Sequence, residues 1–86
     1  MSVSDPAPLV PLVVVFDVMW EASNRLAGRI LALADADGSE AALLDAIEQL
    51  GKIDDRIRSV DVDDRAAILS MDAQLRVELA DLPSPW

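Results

Sequence analysis

The sequence predicts an all-α protein, either a three-helix antiparallel bundle or an extended helical hairpin, and a self-associating one. Three observations carry that expectation. Apolar residues recur at helical steps through three segments, two aspartate-rich breaks separate those segments, and five acid-to-base pairs stand four residues apart. Steps of three and four put side chains on one stripe of a helix. Acid-to-base pairs at i, i+4 add ~0.2–0.5 kcal/mol each and show where the basic residues are used.

The leading segment, Pro11 to Ala34, organises the rest. Leu12, Phe16, Met19, Ser23, Leu26, Ile30 and Leu33 form its stripe. The first half is apolar almost all round, with Asp17 the only polar residue from Leu12 to Trp20. A helix apolar on every side has to be covered on every side, and 86 residues supply few other elements to do it. The expectation is a docking surface made by Leu12, Val13, Val14, Phe16, Met19 and Trp20. The valines also suit a β-strand, but no second segment could pair with one. The helix is expected over about 11–35, with Pro11 in a first turn that does not need its missing N–H. Residues 1–10, with Pro6 and Pro8, read as an extended arm. Gly28, beside Ala22 and Ala27, fits a close helix crossing or a tolerated kink. Asn24 and Arg25 flank the stripe, where a buried polar contact could form.

Asp35 to Glu40 is the first break. Gly38 suits the left-handed residue that closes a helix, and Asp37 or Ser39 can cap the next one, with Glu40 reaching back. Asp35, Asp37 and Ser39 fall at the first, third and fifth positions of a calcium loop. The sixth is Glu40 rather than glycine and the twelfth is Ala46 rather than glutamate, so no metal is expected.

The second helix is expected over about 39–60. Leu43, Leu50 and Ile57 are seven apart, as are Ala46, Ile53 and Val60, which makes a coiled-coil-like seam. Ile47 widens it toward a bundle. At Asp61-Val62-Asp63-Asp64 the apolar register moves by four residues, a stutter if the helix continues and a turn if it stops. The aspartates favour a turn, with Asp61 as cap and Asp64 at the capping-box position. The third helix, about 62–82, carries Ile68, Met71, Leu75, Leu79 and Leu82. Residues 83–86 are expected to form a tail whose Trp86 either packs back, the favoured reading, or binds a partner.

Composition narrows the function. There is no cysteine and no histidine, which removes disulfides, thiolate sites and the commonest general base and metal ligand. Sixteen acidic against seven basic residues give −9, unfavourable for a phosphate backbone or an anionic membrane. The amino terminus lacks a basic leader, and the apolar run is shorter than a bilayer span, so a cytoplasmic chain is expected. Arginine outnumbers lysine six to one, a composition associated with GC-rich bacterial or phage coding. The pairs Asp35/Asp37, Asp54/Asp55 and Asp63/Asp64 sit at polar positions, where solvated faces rather than acid–base chemistry are expected.

The expected function is therefore non-enzymatic: a protein–protein interaction module, whether adaptor, small chaperone or assembly subunit. It would act through apolar helix faces, most simply as a homodimer, without cofactor, nucleic acid or membrane. The alternative is an acidic decoy of phage type that mimics nucleic acid before a basic protein. Acids evenly spaced on one exposed face favour the decoy; scattered acids beside an exposed apolar patch favour the adaptor. A carboxylate enzyme would need two acids converging in a pocket.

Overall fold

A computed structural model describes residues 10–85, and in it the chain folds as three helices with no strand among those residues. They are α1 (Leu12–Asp37), α2 (Glu40–Arg58) and α3 (Arg65–Asp81). The expected amino-terminal arm and Trp86 lie outside the described residues, apart from Val10.

The start of α1 is a proline cap: the Pro11 carbonyl accepts from the N–H groups of Val14 and Val15 at 3.0 and 3.1 Å. Pro11 thus stands just before the first turn rather than within it. The helix runs two residues past the expected end and stops where Gly38 turns left-handed, at φ 76°, its N–H donating to the Ala34 carbonyl at 3.0 Å. Ser39 then caps α2, its Oγ accepting from the Ala42 N–H at 3.1 Å. Asp37 serves the turn by accepting from the Ser39 N–H at 3.2 Å.

The second break is a true turn, so α2 and α3 are separate helices. It is longer than expected. α2 ends at Arg58, α3 begins at Arg65, and the cap is Asp64, whose Oδ1 accepts from the Ala67 N–H at 3.1 Å. Asp61 accepts from the Asp63 N–H at 2.9 Å and shapes the turn instead. Asp61 and Arg65 therefore share no helical turn, and their expected pair is replaced by an Arg65 hydrogen bond to the Val10 carbonyl. The other four i, i+4 pairs form, between 2.8 and 3.8 Å.

α1 is the wall against which both other helices pack. α2 returns antiparallel to it: Ala42 and Ala46 lie by Ile30 and Ala34, and Ile53 and Ile57 lie by Trp20 and Ser23. α3 runs parallel to α1, and two long-range hydrogen bonds set its register. Arg65 Nη2 donates to Val10 O at 2.6 Å and Arg29 Nη1 to Pro83 O at 3.4 Å, sequence offsets of 55 and 54. Met19, Ile68 and Leu75 are fully enclosed at the centre, with Val15, Ala22, Leu26, Ile30, Ile53 and Ile57 around them. Burying one such large side chain contributes roughly 1.5–3 kcal/mol.

The expected α3 stripe is the observed one: Ile68 and Leu75 are buried, while Met71, Leu79 and Leu82 pack half-buried against the core. The α2 seam holds only in part. Ala46, Ile53 and Ile57 are buried, whereas Leu43 and Ile47 face solvent. A straight helix drifts by ~20° per heptad against a seven-residue repeat, so two heptads before Ile57 Leu43 has rotated out of the contact, while Ala46 on the other row stays in it. No close crossing occurs at Gly28, where a built Cβ would meet nothing within 4 Å. Asn24 and Arg25 are exposed rather than in a buried polar contact, and Arg25 pairs with Glu21 at 2.8 Å.

Candidate interface

The front of α1 is helical and incompletely covered. Val13, Val14 and Trp20 are 67%, 43% and 44% exposed, and Val10 and Val18 are exposed beside them. Leu12 and Phe16 are half-buried against the core, and Phe16 stacks on Trp20 at 6.5 Å between ring centroids. Met19 is different: at 0% exposure it belongs to the core of the single chain and is no part of the surface. Of the six residues nominated from sequence, three are exposed, two lie at the edge and one is interior.

Position on the helix explains the split. α2 takes the side that holds Ser23, Ile30 and Ala34, and Val15, Met19, Ala22 and Leu26 are buried in one core with Ile68 and Leu75 of α3. Two helices cover two sides of a third. The outward side keeps Val10, Val13, Val14 and Val18 in solvent, with Asp17 among them. Ser23 is buried where α2 approaches, and its Oγ donates to the Trp20 carbonyl at 2.6 Å, which satisfies the hydroxyl locally.

The patch extends beyond α1. Exposed Val62, in the turn between α2 and α3, shares a cleft with Leu12, Val13 and Phe16. Leu69 is one turn beyond Arg65 on α3, Val14 lies in the first turn of α1, and Arg65 touches Val10 two residues before that helix begins. That register sets exposed Leu69 level with Val14. From Leu69 a second apolar stripe runs along α3, through Ala66, Ala73, Val77 and Ala80, all exposed. Their steps of three and four are helical, but alanine is a weak apolar signal and the core stripe on the opposite face dominates the reading of the sequence.

Charge is divided unevenly. Residues 12–29 of α1 carry Asp17 and Glu21 against Arg25 and Arg29, and residues 65–77 of α3 carry Asp72 against Arg65 and Arg76. These two segments together are nearly neutral. The other segments hold thirteen acids against three bases. Apart from Asp5, which lies outside the described residues, those acids are spread over the end of α1, α2, the second turn and the end of α3, and several are occupied: Asp37, Asp61 and Asp64 accept backbone N–H groups, and Asp54 pairs with Arg58 at 2.8 Å. Among the described residues, the Arg56–Glu78 ion pair joins different helices. Arg56 on α2 donates to both carboxylate oxygens of Glu78 on α3, at 2.9 and 2.6 Å. These hydrogen bonds hold the Glu78 carboxyl below its ordinary range and raise the Arg56 guanidinium.

Among the described residues no three acidic side chains gather as they would around a metal ion, and no helix is long and apolar enough to cross a membrane. No family model, curated protein or solved structure matches the chain.

Proposed function

We propose that this protein is a non-enzymatic interaction module that associates with a second copy of itself through the outward side of α1, as an adaptor, small chaperone or assembly subunit. The observation that carries the reading is the exposure of Val13, Val14, Val18 and Trp20 on a chain whose own core is complete without them. Contiguous exposed apolar surface of this kind marks interaction sites, and tryptophan is enriched among the residues that dominate them.

Charge supports the choice of a second copy. Two chains of net −9 repel, and like charges brought together oppose association. The α1–α3 side is where that excess is missing, so two copies can meet there about a two-fold axis without stacking acid on acid. The same distribution disfavours the decoy, since the acids are scattered and partly used as caps rather than aligned on one face.

The test is the mass in solution by sedimentation or light scattering, with Val14→Asp as the probe. Val14 is the third residue of a helix with no acid in its first turn, where a negative charge is favourable to the helix. The variant should keep its helical spectrum and become monomeric. A wild-type chain that is monomeric at high concentration overturns the reading.

A further inference from the structure

At the other end of α1, about 27 Å from Val13 at 1.5 Å per residue, lies a second apolar patch of different character. Leu31 on α1 and Leu43, Leu44 and Ile47 on α2 are 42–59% exposed. They surround the Gly38 turn, where Leu31, Ala34, Asp35, Gly38, Ser39 and Leu43 line a cleft of about 340 Å³. Leu43 and Ile47 are one helical turn apart and Leu44 flanks them, so α2 presents a ridge beside the cleft rather than isolated side chains.

The charge around this patch has one sign. From Asp35 to Gln49 the chain has five acids, Asp35, Asp37, Glu40, Asp45 and Glu48, and no base. The nearest cation in sequence, Lys52, contacts Glu48 at a loose 3.8 Å with both side chains mostly exposed. Asp35, Glu40 and Glu48 stand on the same outward sides of their helices as the apolar residues. A second copy meeting this patch with its own is disfavoured as the occupant, because it would set these carboxylates against their like. A neutral apolar partner would leave the acids without counter-charge. An amphipathic segment with leucine-like anchors and lysine or arginine along its flanks satisfies both the cleft and its rim, the arrangement by which helices seat in grooves.

We infer that the Gly38 end is a docking site for a basic amphipathic helix of a protein partner. Its apolar side chains enter between Leu31 and Leu43 and lie against Ile47, while its basic residues meet Asp35, Glu40 and Glu48. The site is independent of the self-association surface, so the protein has two ends with different partners.

The experiment is a titration of a labelled 14-residue peptide, with leucine at i, i+3, i+4 and i+7 and lysine elsewhere, followed by fluorescence polarisation. The comparison peptide keeps the lysines and replaces the leucines with serine. The leucine peptide should bind at least tenfold more tightly, and Leu43→Ser with Ile47→Ser should abolish that advantage. Asp35→Asn with Glu40→Gln should weaken binding at least fivefold, whereas Asp61→Asn with Asp63→Asn, at the opposite end, should change it less than twofold. Helical circular dichroism checks each variant, and amide shifts on titration should centre on Leu31, Leu43 and Ile47. Equal binding of the two peptides, or equal loss from the Asp61/Asp63 variant, overturns the proposal.

Discussion

Arg56 and Glu78, twenty-two residues apart, form a two-pronged ion pair that closes the seam between α2 and α3, with the Met71 sulfur 3.8 Å from the same guanidinium. Both helices lean on α1 far more than on each other, and this pair is a polar clasp between them. Bidentate geometry favours arginine over lysine here. Because both side chains are about a third or more exposed, solvent screening limits the pair to roughly 0–1 kcal/mol.

The clasp gives a pH signature. The folded Glu78 carboxyl titrates below its unfolded value, so its contribution is fully present above the ordinary glutamate range, near pH ~4.3, and is lost as pH falls through the lowered folded value. Glu78→Gln should lower stability modestly at pH 7, by less than ~1 kcal/mol. Denaturant midpoints of the two proteins should converge as pH falls below ~4. A difference that persists undiminished into acid would show that the pair is not its source.

Met19 and Val13 separate core from surface on one helix. Met19→Ala removes a fully buried side chain and should cost about 2–5 kcal/mol, a large fraction of what a domain of this size has. Val13→Ala, at 67% exposure, should change monomer stability by less than ~0.5 kcal/mol, or raise it through helix propensity. Urea unfolding of both at low concentration checks this.

The three glycines should divide by backbone rather than by space. Gly28 and Gly51 lie within helices, and an added Cβ meets nothing within 4 Å at either. Each change to alanine should stabilise by up to ~1 kcal/mol. Gly38 has similar room, but its φ of 76° is left-handed, so Gly38→Ala should destabilise by roughly 1–2 kcal/mol. Thermal midpoints that moved in the same direction for all three would contradict the helix boundaries described above.

Much of this fold was readable because its strongest signals are local. Ile68 and Leu75 follow the helical period and are buried. Gly38 and Ser39 form a cap that only the right residue types can make. The front of α1 was readable as surplus apolar surface because no spacing could hide it. Met19 was separable from Val14, since it stands on the stripe with Leu26 and Ile30 and Val14 does not, but the all-round apolar front drew both into one expected surface. The start of α3 was ambiguous because Asp61, Asp63 and Asp64 can all cap, and the turn length chose Asp64. Arg56 and Glu78 are joined by tertiary geometry alone, which no short-range pattern encodes. Leu43 was misplaced in the seam because heptad spacing is only nearly the period of a straight helix, and Ile47, expected to widen the stripe, is exposed instead.

Leu69 provides the sharpest check on how far the self-association surface extends. The two hydrogen bonds that fix α3 against α1 place it level with Val14, and it is exposed. If two copies meet across both helices, Leu69→Asp should weaken the dimer as Val14→Asp does, by tenfold or more, although it lies fifty-five residues away in sequence. Buried charge opposite a partner's apolar side chain costs far more than the same charge in water. The monomer should tolerate the change, since Leu69 points away from Ile68 and Leu75 in the core. Sedimentation equilibrium of the two single variants and the double variant reads the outcome. Once either aspartate has broken the contact, the second should add little, because sites in one interface are coupled. Full additivity would place Leu69 and Val14 in separate contacts, and a Leu69→Asp variant that dimerises like the wild type would confine the dimer surface to α1.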